Sequence, residues 1–328
     1  MQAAFYERTG PAREVLQVAD FPTPEPAAGE VRVRVLWSGV NPSDVKSRAG
    51  LRNPAMPFPR VIPHSDGMGV VDAVGAKVPA SRVGQRVWLW NAAWGRAHGT
   101  ACEFVCLPQE QAVPLPEGVA DETGACMGIP GLTALHAVLM DGGVAGKTVL
   151  VAGGAGAVGH YAVQMASQLG AARVITSVST EAKAALAREA GADDVVLYKD
   201  EPLARRVLDL TGGRGVDRVI ELDLAANAAA NLELLKPGGE CVVYGSGAPQ
   251  MQLPFFPLIA KNLQLKFFIV YHLAPTDRER AVGTLTQLLA RGRLRHNIAA
   301  RLPLAEIARA HELVERGEAV GNVVLRAA

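Results

Sequence analysis

The stretch "VLVAGGAGAVGHYAVQMASQLGAARVITSVST", Val149 to Thr180, decides the fold. It opens as a short apolar run and crosses a crowd of glycines. It then carries Val158, Ala162, Met165 and Leu169 at helical spacing and ends in a second β-rich run, "RVITSVS". Strand, glycine turn, helix, strand is the repeating unit of a parallel, doubly wound sheet. Within it, "GAGAVG" (Gly154–Gly159) fits G-x-G-x-x-G. That pattern is weak alone and strong between a buried strand and a helix. Absent side chains let the backbone approach a pyrophosphate, and the helix N-terminus offers free N–H groups and the positive end of its dipole. The competing reading is a glycine-rich turn that binds nothing.

No acidic residue occurs between Lys147 and Glu181. Sites for a cofactor with a free ribose 2′-hydroxyl place an Asp or Glu about 20 residues beyond the glycines. Here the second strand ends in Thr176-Ser177-Val178-Ser179-Thr180. Small hydroxyls accommodate a 2′-phosphate that a carboxylate would repel, and Lys183 and Arg173 are the nearby cations. The expected cofactor is therefore NADPH. Lys183 as a solvated helix residue is the alternative.

Outward from this stretch, alternation continues: "TEAKAALAREAGA" as a helix, then "DDVVLY", "VDRVIELD" and "GGECVVYGSG" as strands. The first third differs. "EVRVRVLWSGV" (30–40) alternates with period two, and "GMGVVDAVGA", "GQRVWLW" and "TACEFVCLP" are further strands, giving a mainly β domain. The last sixty residues carry two helical stretches and close in "NVVLRAA". A chain of 328 residues exceeds what one core usually holds. The expected division is 1–122, 123–266 and 267–328, with the last part returning to the first domain.

Net charge is +1, which removes any global electrostatic case for nucleic acid or an anionic membrane. "RGRLRHN" (291–297) is a short basic cluster and is taken as a solvated helix end. The N-terminal "MQAAFYERTG" lacks a basic-then-apolar signal pattern, and the long uncharged runs are broken by glycine or proline. No membrane span and a cytoplasmic location are expected. Four cysteines make no disulfide framework. Cys102 and Cys106, four apart on a strand, would lie about 13 Å apart, too far to share one metal ion.

The stretches "SGVNPSDVKSRAG" (38–50), "VIPHSDGMGVVDAVGAKV" (61–78), "GIPGLTALHAVL" (128–139), the glycine turn, "LLKPGGECVVYGSG" (234–247) and "GNVVL" (321–325) resemble the medium-chain dehydrogenase/reductase superfamily, in its zinc-free quinone oxidoreductase (ζ-crystallin-like) branch. The resemblance implies an α/β fold, a Rossmann doubly wound parallel sheet plus a GroES-like mainly β domain, and a homodimer or homotetramer. Zinc-dependent relatives carry a Cys where this chain has Asn41, and a His and a Glu where it has Ser65 and Asp66. Amide and hydroxyl oxygens are poor zinc ligands beside thiolate and imidazole, so no metal is expected. His64 stands one position out of register with the ligand.

Carried across by the resemblance, the pyrophosphate turn is Ala155, Gly156, Ala157 and Val158. The 2′-phosphate region is Ser177, Ser179 and Lys183, with Tyr198 near the adenosine. Tyr244, Gly245 and Ser246 end a strand near the ribose, and Phe268, Ile269 and Val270 offer backbone groups to the carboxamide. Thr133 and Asn322 are weaker candidates. Without a Lewis acid, charge developing on a substrate oxygen needs a hydrogen-bond donor. Asn41 is the first catalytic candidate, with Ser65 and Lys46 beside it. Close relatives often carry Tyr at position 46, so Lys46 leaves the substrate open. The implied activity is NADPH-dependent reduction of a quinone. An enoyl or alkenal C=C reductase acting on an enone, and a non-catalytic NADPH-binding protein, are the alternatives. A nucleic-acid partner is not expected.

Overall fold

The computed structural model describes residues 1–327. The chain forms two compact units, residues 1–131 together with the segment from Val282 onward, and residues 132–281. The first unit opens with β1 (Gln2–Phe5) and β2 (Gln17–Asp20), an antiparallel pair. It continues with β3 (Glu30–Val40), β4 (Asp66–Val74), β5 (Arg86–Leu89), β6 (Phe104–Pro108) and β7 (Ala112–Pro114). The alternation in β3 has a plain cause: Val31, Val33 and Val35 are fully buried while Arg32 and Arg34 are not. β3 pairs antiparallel with β4 and β6. Cys106 lies in β6, but Cys102 lies before it, so the two are not on one strand. All four thiols are unpaired.

The second unit carries β8 (Thr148–Ala152), β9 (Arg173–Val178), β10 (Asp194–Leu197), β11 (Val216–Glu221), β12 (Leu235–Val243) and β13 (Gln264–Phe267). Every pair is parallel, in the order β10-β9-β8-β11-β12-β13. This is the doubly wound order whose direction reverses at its first strand. Val149, Leu150 and Val151 of β8 are all fully buried, as a strand covered on both faces requires. The helix Ala157–Gln168 is buried from Gly159 through Ala166, wider than the single stripe of the sequence reading. It packs against β8 and β9 and against the helix Leu132–Leu139. Gly170, at φ +89°, lies just past its end.

The chain then returns to the first unit with β14 (Ile298–Pro303) and β15 (Asn322–Arg326). β15 joins β3 antiparallel, giving the sheet order β14-β15-β3-β4-β5-β7. The sequence reading placed its breaks at 122/123 and 266/267, whereas contacts divide the chain at 131/132 and 281/282. Residues 123–131 pack onto β4 and β5: a Cβ at Gly124 would sit 2.7 Å from Met68 Cγ, and one at Gly128 would collide with the Asp66 carboxyl. Among the described residues, no helix is long and apolar enough to cross a membrane.

Candidate functional site

The loops that follow β8, β9, β11 and β12 gather at the carboxyl edge of the parallel sheet, where open sheets of this kind bind ligands. After β8, Gly153 takes φ +70°, and the N–H groups of Gly153 and Gly154 both donate to the Ser177 carbonyl, at 3.0 and 3.3 Å. A Cβ at Gly154 would collide with Thr176 Oγ1, and one at Gly159 with the Gly153 carbonyl. These two glycines are required by packing alone. Gly156 is different: its φ is −76°, and the nearest atom to an added Cβ is 3.3 Å away. Neither strain nor collision demands glycine there as strongly. The absence of a side chain at that position suits close approach by a phosphate. No side chain caps the helix that begins at Ala157, so its N-terminus keeps its dipole for an outside anion.

At the end of β9, Ser177 is buried and Ser179 is half-buried. Lys183 Nζ donates to Ser179 Oγ at 3.0 Å. Lys183 N–H meets Thr180 Oγ1 at 3.4 Å, capping the helix Glu181–Glu189. Tyr198 N–H donates to the Val178 carbonyl, which sets the half-exposed Tyr198 beside the same strand end. Arg173 does not join this group. It begins β9, at the opposite edge, and donates to Asp194 Oδ2 at 2.6 Å and to the Leu210 carbonyl.

The remaining predicted positions fall on neighbouring loops. Tyr244 N–H donates to the Glu221 carbonyl, and Phe268 N–H to the Val243 carbonyl. Gly245 packs on Leu222, whose carbonyl leaves no room for a Cβ. Ser246 Oγ donates to the Ala248 carbonyl at 2.8 Å. The Val270 carbonyl accepts from Arg278 and the Ile269 carbonyl from His272 N–H, so the backbone of these residues is partly committed. Thr133 is buried, and its Oγ1 has no hydrogen-bond partner within the protein. Asn322 lies at the start of β15 in the first unit. Its backbone and side-chain N–H groups both donate to the Asn297 carbonyl.

The catalytic candidates lie in the first unit. Asn41 precedes the helix Pro42–Arg48 and is nearly buried. Asp44 Oδ2 accepts the Asn41 backbone N–H at 2.9 Å, completing a capping box, with Pro42 in the first turn. Asn41 Nδ2 donates to Asp66 Oδ2 at 2.8 Å. Lys46 is half-buried on the helix, and Ser65 is buried with its carbonyl accepting from Ala92 N–H. Burial raises the Asp44 carboxyl to about 7, against the pull of the Asn41 hydrogen bond. Burial likewise holds Asp66 well above the usual carboxylate range, although Asn41 and the Ile129 N–H oppose it. An amide committed to Asp66 and a hydroxyl are poor zinc ligands beside thiolate and imidazole. Among the described residues, no three His, Cys, Asp or Glu side chains are grouped to hold a metal ion.

Asp44 and Asp66 were missed by the sequence reading as partners of Asn41. The spacing N-P-S-D was the available signal for Asp44, since an N-cap residue followed three positions later by an acid marks a helix start. Nothing local announced Asp66, which meets Asn41 only because β3 and β4 pair.

Two families match: one described as zinc-binding dehydrogenase over residues 157–288, and the alcohol dehydrogenase GroES-like domain over residues 27–117. A quinone oxidoreductase of Pseudomonas aeruginosa is 33% identical over 319 residues, covering 95% of each chain. A 2-haloacrylate reductase of Burkholderia sp is 30% identical over 335 residues, covering 99% of this chain and 98% of that one. A mycobacterial protein solved with NADPH superposes with TM-score 0.88 at 32% identity, covering 99% of both chains. The parallel sheet is therefore the Rossmann part of an α/β fold and the β-rich unit its GroES-like part. With its glycine turn, its strand order and relatives spanning it end to end, the chain belongs to the medium-chain dehydrogenase/reductase superfamily, in the quinone oxidoreductase branch.

Proposed function

We propose that this protein reduces quinones by hydride transfer from NADPH, without zinc. The carrying observation is the Lys183 ammonium on Ser179 Oγ, beside Ser177, where a carboxylate would stand in a site for the 2′-hydroxyl cofactor. An ammonium and two hydroxyls match a 2′-phosphate in charge and in hydrogen-bond donors. The relative solved with NADPH supports the same cofactor. The nicotinamide, when bound, supplies the hydride.

The chain's own residues bind, orient and donate. Gly156 and the uncapped helix N-terminus receive the pyrophosphate, and Thr133 Oγ1 offers an unspent hydroxyl. Asn41 has two amide N–H groups and gives one to Asp66, leaving the other for an oxygen that gains charge as the hydride arrives. Ser65 and the Lys46 ammonium are further donors. Overall, quinone, NADPH and one proton give hydroquinone and NADP⁺. Four unpaired thiols and the absence of disulfides among the described residues suit a reducing, cytoplasmic setting.

A second reading is reduction of a C=C bond conjugated to a carbonyl or carboxylate, favoured by the 2-haloacrylate reductase relative. One experiment separates the two. NADPH oxidation is followed with 1,4-benzoquinone, 9,10-phenanthrenequinone, an enone, 2-chloroacrylate and a simple ketone, each repeated with NADH and with a chelator. Chelator-insensitive hydroquinone formation with NADPH is expected. A saturated product from the enone or chloroacrylate, with quinones inert, selects the second reading. Loss of activity with chelator defeats the zinc argument. NADPH binding with no turnover defeats both readings and leaves a binding protein.

A further inference from the structure

The first unit holds a buried polar chain outside the residues assigned above. Ser38 Oγ lies 2.8 Å from His64 Nδ1 and 2.8 Å from Thr100 Oγ1. His64 Nε2 lies 2.9 Å from His311 Nε2, with the ring centroids 5.1 Å apart and the ring planes 24° from parallel. All four residues are fully buried. His64 takes φ +78°, a left-handed conformation uncommon for a residue with a Cβ. Such strain persists where the surroundings over-determine it. The surroundings here are tight. A Cβ at Gly67 would stand 2.8 Å from Thr100 Cγ2, and one at Gly99 would collide with the carbonyls of Pro63 and His64.

One carbonyl fixes every proton in the chain. Thr100 Oγ1 is in close contact with the Asp66 carbonyl oxygen, which only accepts, so the Thr100 proton points there. Thr100 has no second proton, so Ser38 donates to Thr100. The Ser38 proton is then spent, and Ser38 Oγ accepts from His64 Nδ1–H. A neutral imidazole has one N–H, so His64 Nε2 is an acceptor and His311 must supply its Nε2–H. Burial keeps His64 neutral down to about 3, and burial, His64 and the Arg48 guanidinium together hold His311 well below its ordinary value. The opposite polarity would set two oxygen lone pairs against each other at Thr100 and Asp66.

We infer that His311, His64, Ser38 and Thr100 form a one-way hydrogen-bond relay that positions the start of β4 and, through Asp66, the amide of Asn41. Thr100 holds the Asp66 backbone while the Asp66 carboxyl holds Asn41 Nδ2. Its effect on turnover rests on the reaction proposed above; the relay itself does not.

Two readouts test it on the full chain. Side-chain ¹⁵N spectra at pH 7 are expected to show protons on His64 Nδ1 and His311 Nε2 only. A proton on His64 Nε2 or on His311 Nδ1 overturns the relay. Thr100→Val keeps the side chain's shape and removes the hydroxyl. Its kcat with NADPH and quinone should fall about tenfold or more, the scale on which small misplacements of reacting groups act. The KM for NADPH should not move, and Thr100→Ser should restore kcat. Equal kcat in the two variants, or a defect confined to KM, overturns the positioning role. An unmodified protein that turns over no acceptor defeats the proposed reaction, and the ¹⁵N assignment still decides the relay.

Discussion

Lys183 sits where its charge has a measurable consequence. It donates to Ser179 and stands on a helix capped by Thr180, so its ammonium is held near the end of β9. Charge-assisted hydrogen bonds are worth about 1.5–3 kcal/mol, so Lys183→Ala should raise the KM for NADPH about 10- to 100-fold. The KM for NADH should barely change. Equal shifts for both cofactors would remove Lys183 from the 2′-phosphate. Asp44 makes a different prediction. Burial raises it to about 7, so the folded protein keeps a proton that the unfolded chain loses from about pH 4 upward. Stability should fall as pH rises through that window. Asp44→Asn, which keeps an acceptor for the Asn41 N–H, should flatten the dependence of the urea midpoint between pH 5 and 8. The placing of Lys183 beside Ser179 was legible in the sequence because a strand end lies at a countable distance from the glycines. The His64–His311 contact was not, since its members are 247 positions apart and meet only through the fold.

At the scale of elements, β12 carries the densest ionic cluster of the second unit. Glu240 accepts from Lys147 at 2.7 Å, from Arg218 at 2.8 Å and from Lys266 at 2.6 Å. Arg218 is fully buried and also donates to the carbonyls of Ala137, Val138 and Met140, closing the end of the helix Leu132–Leu139. Burial alone would raise Glu240, but hydrogen bonds from Lys147, Lys266 and Arg218 lower it to about 2. Its contribution to stability is therefore complete above about pH 4.5 and lost as pH falls toward 2. Glu240→Gln leaves Arg218 as an uncompensated buried cation. It should cost about 3 kcal/mol or more in urea unfolding at pH 7, and it should remove the acid-side decline. A variant as stable as the parent would show the cluster to be ornamental. Strands β8, β11 and β12 around this cluster were readable from apolar runs and alternation, and β13, which carries Lys266, was not. Residues 123–131 fall with the first unit by contacts, a placement that an uncharged run does not announce, because it does not say which sheet will receive it.

At the scale of the molecule, β13 is a sheet edge, and near it Phe255, Phe256 and Phe267 are 74, 76 and 56% exposed. An open strand beside exposed aromatics is a surface that proteins usually cover. We expect self-association through this edge. Sedimentation equilibrium should show a dimer or tetramer that Phe256→Asp dissociates, whereas a monomeric parent would refute it. The chain's route has a temporal consequence as well. On the edge away from β4, residues Trp37–Val40 of β3 pair with Val323–Arg326 of β15. A ribosome adding about 5–20 residues per second takes roughly 15–60 s to travel from one to the other. Throughout that interval the parallel-sheet unit emerges complete while the central strand of its neighbour waits half-paired. That waiting edge is where a chaperone would have something to hold during biogenesis.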